Sequence, residues 1–210
     1  MENYHWRGDF FNSLIKELNY SSYLELGVST GKDCWNIVEC LNKVGVDSNP
    51  DLNIPGVVCS TTDDYFKSLD SKEKFDLIFI DAYHEKYQVY KDFKNSLNHL
   101  NSGGIIVLHD VYLLTEQDCS ITTASGNVYE FWIELVDKYD QETHILIGYP
   151  GNIEGTVGIY IPGDNSTFDS NLIGDIDHSY EYFTKNLDNY IFRKTVDQQQ
   201  IIEKIKGAKS

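Results

Sequence analysis

The chain has 210 residues, the size of one compact domain or a domain with a modest appendage, and 17 Lys+Arg against 33 Asp+Glu set a formal net charge of −16. Hydrophobic residues make up 41 % and charged residues 24 %, a globular rather than a disordered balance. The acidic excess argues against a nucleic-acid partner, whose phosphates need clustered Lys/Arg, and against an anionic membrane surface. The longest apolar runs, near 77–80 and 105–108, fall far short of the roughly 20 residues that span a bilayer. The polar start Met1-Glu2-Asn3-Tyr4-His5-Trp6 lacks the pattern of a secretory signal. Cys34, Cys40, Cys59 and Cys119 form no CxxC pair and match no structural zinc spacing, so they are read as free thiols in a reducing compartment. The expected location is the cytoplasm.

Short β-like runs alternate with helical patterns. A helix is predicted over 8–18, with Phe11, Leu14, Ile15 and Leu18 on one face, and a strand over 23–26. A second helix is predicted over 32–42, where Cys34, Ile37, Val38 and Leu41 share a stripe, followed by a strand over 43–46. Asn49-Pro50 breaks the chain. A strand at 57–59 and a short helix at 63–69 follow, and 75–80 is apolar enough for a central parallel strand buried on both faces. A helix over 87–100 leads through Gly103-Gly104 to a strand at 105–108. A polar stretch over 115–126 precedes a helix carrying Val128, Phe131, Trp132, Leu135, Val136 and Tyr139. Strands at 144–147 and 156–161 leave no room for a helix between them and are expected to pair antiparallel. The segment 179–206 reads as a polar helical appendage that packs on the domain or on a partner subunit.

Five strands alternating with helices predict an α/β fold with a doubly wound, Rossmann-like, mostly parallel sheet closed by a C-terminal antiparallel hairpin. Ligands of such sheets bind beyond the carboxyl ends of the strands. That rule selects few residues. Gly27 and Gly31 permit a tight strand-to-helix turn, and Asp47, 20 residues after Gly27, can accept both hydroxyls of a ribose. Together they point to a ribose-bearing ligand without separating NAD from S-adenosylmethionine. Thr62 and Asp63 stand where a nucleotide base would lie, although Thr62 is also a good helix N-cap. Asp81, His84, His109 and Asp110 bring two carboxylates and two imidazoles to adjacent strand ends. Read functionally, Asp81, His109 and Asp110 ligate a metal and His84 is a general base. Read blandly, His109 and Asp110 cap a turn and His84 packs on Tyr87.

Four stretches carry a resemblance: Glu25-Leu26-Gly27 with Gly31; Asp47; 75–84, FDLIFIDAYH; and 100–110, LNSGGIIVLHD. They resemble class I S-adenosylmethionine-dependent methyltransferases, most closely a branch with D-G-x-H after the fourth strand and H-D after the fifth. Asn127-Val128-Tyr129-Glu130-Phe131-Trp132 resembles that branch's later helix, and the likeness covers about 23–161. The departures are Ala82 for Gly, Ser102 for Pro and Ser29 for the middle glycine of the first motif. The resemblance implies that Glu25, Gly27, Ser29 and Gly31 shape the cofactor's amino-acid pocket, that Asp47 holds the ribose, and that Thr62 and Asp63 border the adenine beside Asp81. Metal-dependent sugar and catechol O-methyltransferases carry an acid and a residue pair at the places of Asp81 and His109-Asp110. The sugar type has a catalytic histidine matching His84, and His109 is the rival base. An imidazole where those enzymes usually have an oxygen donor favours manganese, iron or zinc over magnesium.

The expected protein is therefore an S-adenosylmethionine-dependent methyltransferase, with or without a divalent metal, acting on a hydroxyl of a small polar acceptor of which a sugar is one type. Residues 1–163 would form the catalytic domain and 164–210 a helical appendage serving as an oligomer contact. An NAD-dependent oxidoreductase shares the glycine turn and Asp47 but leaves His109-Asp110 and the hairpin unexplained. A non-catalytic cofactor-binding or scaffold protein of the same fold is the third reading.

Overall fold

The computed structural model describes residues 6–119, 125–148, 155–163 and 178–208. The middle of the polar stretch at 115–126, Gly151 between the last two strands, and the first part of the appendage lie outside them. Among the described residues, seven strands form one sheet: β1 (Ser22–Leu26), β2 (Asn42–Asp47), β3 (Val57–Cys59), β4 (Phe75–Ile80), β5 (Leu100–Leu108), β6 (Thr143–Leu146) and β7 (Val157–Tyr160). Their spatial order is β3-β2-β1-β4-β5-β7-β6, with the first five parallel and β7 antiparallel to both neighbours. The predicted doubly wound sheet and its antiparallel end are both present.

The central strands are apolar because both faces are covered, and alternate residues serve opposite faces. Leu24, Leu26, Ile78, Ile80, Ile106 and Leu108 pack under α3 (Lys86–Asn98) and α4 (Val128–Lys138), where Phe93 and Phe131 meet edge to face at 5.3 Å. Tyr23, Leu77, Phe79, Ile105 and Val107 pack under α1 (Trp6–Leu18), with Phe11 edge-on to Phe79 at 5.1 Å. A short helix, α2 (Thr62–Ser68), follows β3.

The helix expected over 32–42 does not form, and turns occupy 32–37 instead. Cys34, Trp35 and Val38 are buried as the stripe suggested, but Leu41 is 85 % exposed. The N–H groups of Asn36, Ile37 and Val38 make turn bonds to Gly31 and Cys34, but the carbonyls that a helix would satisfy find side chains instead. Asn12 donates to the Ile37 carbonyl and accepts from the Glu39 N–H, while the Lys43 ammonium donates to the carbonyls of Trp35 and Val38. Trp35 lies flat enough on the strand that a Cβ at Gly45 would stand 3.0 Å from its ring.

The appendage is not one helix. It runs through α5 (Tyr180–Lys185), α6 (Leu187–Tyr190), a 3₁₀ turn at Phe192–Lys194 and α7 (Gln198–Ala208). Phe183, Tyr190 and Ile191 enter the α3–α4 core, and Ile201, Ile202 and Ile205 enter the α1 core. The appendage thus packs on its own domain, one of the two placements that its polar helical pattern left open.

Candidate active site

A cleft of about 970 Å³ opens at the carboxyl ends of the parallel strands. One end holds Asp47, Thr62 and Asp63; the other holds Asp81, His84, His109 and Asp110, rimmed by Tyr83, Tyr112, Leu113 and Leu114.

The glycine turn after β1 is fixed by crowding. Gly27 has φ +86°, and a Cβ there would lie 2.0 Å from the Asp81 carbonyl oxygen, so only glycine fits. Its N–H donates to the Val46 carbonyl, and the ladder continues with Asp81 N–H to Leu26 and His109 N–H to Ile80. Four strand ends, of β2, β1, β4 and β5, are thereby locked in register around the cleft. Gly31, at φ +72°, shapes the turn but does not reach the cleft wall.

Asp47 ends β2 in the expected place. Its Oδ2 accepts from the backbone N–H groups of Val28 (3.0 Å) and Ser29 (2.8 Å), and Oδ1 accepts from Asn49 N–H. The carboxylate therefore braces the glycine turn, and its remaining lone-pair capacity faces the cleft. At the end of β3 the N-cap of α2 is Thr61, which accepts from Asp64 N–H; Thr62 opens the helix instead of capping it. Gln88 Nε2 lies 3.1 Å from Thr62 Oγ1, 3.1 Å from Asp63 Oδ1 and 3.0 Å from Asp92 Oδ1. Burial raises the Asp92 carboxyl to about 6. Neither Gln88 nor Arg7 was expected at the cleft. The available signal was spacing: Arg7 falls in the core-facing row of Phe11, Leu14 and Leu18, and Gln88, Asp92 and Ser96 form a polar row beside Val89 and Phe93.

The ends of β4 and β5 carry a compact cluster. Asp81 Oδ1 is 3.1 Å from both His84 Nε2 and His109 Nδ1, and Asp110 Oδ2 is 3.3 Å from His84 Nδ1 and 3.1 Å from His109 Nδ1. Asp110 has φ +56°, a left-handed conformation that costs a non-glycine residue roughly 1 kcal/mol. Burial opposes ionisation of Asp81, but His109 and His84 outweigh it and hold the carboxyl well below the usual range. Burial likewise opposes a charged His109, and Asp81 and Asp110 outweigh it, raising its pKa to about 10. Arg7 pulls the other way. Its Nη1 is 2.8 Å from His109 Nε2 and can only donate, so while that bond stands Nε2 is an acceptor and the ring is the neutral Nδ1–H tautomer. The hydrogen-bond geometry decides, because protonating Nε2 would set two donors against each other.

Asp81, His84 and Asp110 each offer an atom within 4.8 Å of the others, the spacing of a cation site. His84 thus completes the converging set, while His109 stands behind it against Arg7. Two carboxylates and one imidazole suit a borderline divalent ion such as manganese, iron or zinc.

Glu25 is buried in the middle of β1, on the α1 side, and is absent from the cleft wall. Burial raises its carboxyl to about 8, and Tyr23 donates to Oε2 at 2.8 Å. Its folded pKa lies above the ordinary 4.5, so its stabilising contribution is complete below that pH and is lost as pH rises through about 8. Glu25→Gln is expected to remove that decline, on the order of a few kcal/mol. Denaturant titrations of both proteins between pH 5 and 9 will check this; parallel pH dependences would count against it.

Residues 24–111 match the family described as a methyltransferase domain. That segment is similar to a methyltransferase domain. The matched segment contains every site residue discussed above from Glu25 to Asp110, leaving out Arg7. Solved structures share the domain's fold. The O-methyltransferase TomG from Streptomyces achromogenes, involved in tomaymycin synthesis and solved with S-adenosylmethionine, aligns with TM-score 0.55 at 16 % identity over 75 % of this chain and 80 % of its own. An O-methyltransferase from Bacillus cereus in complex with S-adenosylhomocysteine aligns with TM-score 0.51 at 19 % identity, covering 74 % and 80 %. The Podospora anserina methyltransferase PaMTH1, bound to S-adenosylhomocysteine, gives 0.52 at 18 %, covering 74 % and 78 %. The sheet order and antiparallel β7 of the domain are those of the class I methyltransferase fold. No curated protein matches the sequence. No helix among the described residues is long and apolar enough to cross a membrane.

Proposed function

We propose that the protein transfers a methyl group from S-adenosylmethionine to a hydroxyl of a small polar acceptor. The observation that carries this reading is the Asp81–His84–His109–Asp110 cluster, which shares one cleft with Asp47, Thr62 and Asp63 inside a methyltransferase domain. When bound, the cofactor supplies an electrophilic methyl carbon on a sulfonium.

The chain's own residues do the rest. The backbone of Gly27 and Ser29 and the carboxylate of Asp47 hold the amino-acid and ribose parts, and Thr62 and Asp63, kept in place by Gln88, border the adenine. Glu25 and Gly31 act from behind the wall by supporting the turn. Asp81 lines the same cleft and holds the imidazoles of His84 and His109 with its carboxylate. His84 accepts the acceptor's hydroxyl proton as the oxygen attacks, with Asp81 and Asp110 fixing its ring. A divalent ion held by the carboxylates of Asp81 and Asp110 would lower the pKa of that hydroxyl. Among the described residues the cleft is lined by six aspartates and a single cation, Arg7, which is engaged by His109. That lining favours neutral or cationic acceptors, amino or neutral sugars among them, over carboxylates and phosphates.

Titration calorimetry with S-adenosylmethionine and with NAD tests the reading: only the first is expected to bind. Asp47→Ala is expected to weaken that binding by about 1.5–3 kcal/mol, the worth of a charge-assisted contact, with the added loss of its brace on the glycine turn. Unchanged affinity would remove Asp47 from the site. The metal has its own measurement. Manganese is expected to bind in equilibrium dialysis and to be lost in Asp81→Asn and Asp110→Asn; full activity in chelator-treated, metal-free protein would sink the metal and leave the methyltransferase reading standing.

A further inference from the structure

We infer that Asn127 is a positioning residue for His84, holding the loop that carries the imidazole from the start of α4. The inference rests on the reading of His84 given above. His84 lies in the irregular segment between β4 and α3, so its backbone takes its partners from elsewhere. Asn127 supplies them on both sides. Its N–H donates to the His84 carbonyl at 3.0 Å, and its Oδ1 accepts from the Lys86 N–H at 2.7 Å. The side chain is also anchored on its own helix, with Nδ2 donating to Glu130 Oε1 at 3.2 Å.

Three further observations single this residue out. An asparagine at a helix start ordinarily accepts a hydrogen bond from its own helix, yet Asn127 makes no such capping bond and is turned across to α3. The approach is close enough to demand glycine next door: Gly126 has φ +56°, and a Cβ there would lie 1.8 Å from the His84 carbonyl oxygen. The far end of the contact is buried and charged. Lys86 is 5 % exposed, with Nζ 2.5 Å from Glu134 Oε1 and 3.7 Å from Glu130 Oε2. Asn127, Glu130 and Glu134 are spaced to share one face of α4, so a single stripe grips Lys86 by its backbone and by its ammonium. A lysine is buried only where its charge is met, so the grip cannot slide without exposing unpaired groups. The loop between Asp81 and Lys86 is therefore held at both ends, by β4 on one side and by Asn127 on the other.

The test uses the full chain with ¹³C-labelled histidine and amide hydrogen exchange. In Asn127→Ala, the Lys86 amide is expected to exchange about tenfold faster, and the His84 ring signal to shift and broaden. The His99 ring, held by the Glu73 carbonyl at the opposite end of α3 from Lys86, serves as the unmoved reference. Asn127→Asp keeps the acceptor for Lys86 N–H and is expected to restore both signals. Should Asn127→Ala not fold, Asn127→Ser, whose oxygen stops one atom short, takes its place with the same readouts. A role confined to helix stability would speed exchange along α4 and leave the His84 ring unchanged, and that result would overturn the inference. Failure of S-adenosylmethionine to bind the wild-type protein would instead overturn the methyltransferase reading, without touching these signals.

Discussion

His84→Ala is expected to lower methyl-transfer turnover by about 10²- to 10⁴-fold, the range of a lost general base, with little change in cofactor affinity. Both ring nitrogens of His84 face carboxylates, Asp81 at 3.1 Å and Asp110 at 3.3 Å. A neutral imidazole has one hydrogen and one lone pair, so the two acids compete for one hydrogen and the second nitrogen is left to take a proton. His109 is the rival, and its surroundings weaken its case. Its Nε2 is occupied by a donor-only guanidinium, and it is not one of the converging trio of Asp81, His84 and Asp110. Steady-state rates for both alanine variants decide the matter. Near wild-type turnover in His84→Ala, with loss in His109→Ala, would move the assignment to His109.

Gly27→Ala is expected to be the most damaging single substitution in the glycine turn. The added methyl would stand 2.0 Å from a backbone oxygen of Asp81, which cannot swing aside as a flexible side chain could, at a residue whose φ is +86°. Left-handed strain and overpacking together should cost about 3 kcal/mol or more. The displaced group is the backbone of Asp81 itself, so cofactor binding and the imidazole cluster should be lost together. Gly207→Ala is the control: nothing lies within 4 Å of a Cβ there, and Gly207 lies in α7, so that change should be neutral or stabilise by up to about 1 kcal/mol. Thermal unfolding and titration calorimetry of the two variants check both statements. Equal melting temperatures for the pair would refute the crowding argument.

Much of the fold was legible because its signals are local. The run Phe75–Ile80 is apolar since β4 is covered on both faces, and the strand ends then select Asp47, Asp81, His109 and Asp110 by topology alone. The missing helix over 32–42 was not legible. Cys34 and Val38 have helical spacing and are buried, but the carbonyls of Trp35, Ile37 and Val38 are satisfied by Asn12 and Lys43, contacts that no window of neighbouring residues contains. The break-up of the C-terminal helix follows the same logic: Asn186 and Ile191 leave helical geometry so that Phe183, Tyr190 and Ile191 can enter one core and Ile201, Ile202 and Ile205 the other. At the site, sequence order placed the acids and imidazoles but not their depth. Glu25 and Asp47 both belong to the expected set, yet one is buried behind the wall and the other braces the turn that it faces.

The packing of α7 on α1 bears on how the protein is made. Arg7, on the first helix, reaches the imidazole cluster, and that helix is covered in turn by residues 198–208, with Lys206 3.2 Å from Glu17. The earliest-synthesised wall of the cleft is thus secured by the segment translated nearly two hundred residues later. A nascent chain can seat α1 on the β1–β5 sheet through Phe11 and Leu14 while the other side of that helix stays bare, to be covered only as α7 docks. Full covering of the first helix during translation should therefore come late, with the emergence of α7 rather than with completion of the sheet.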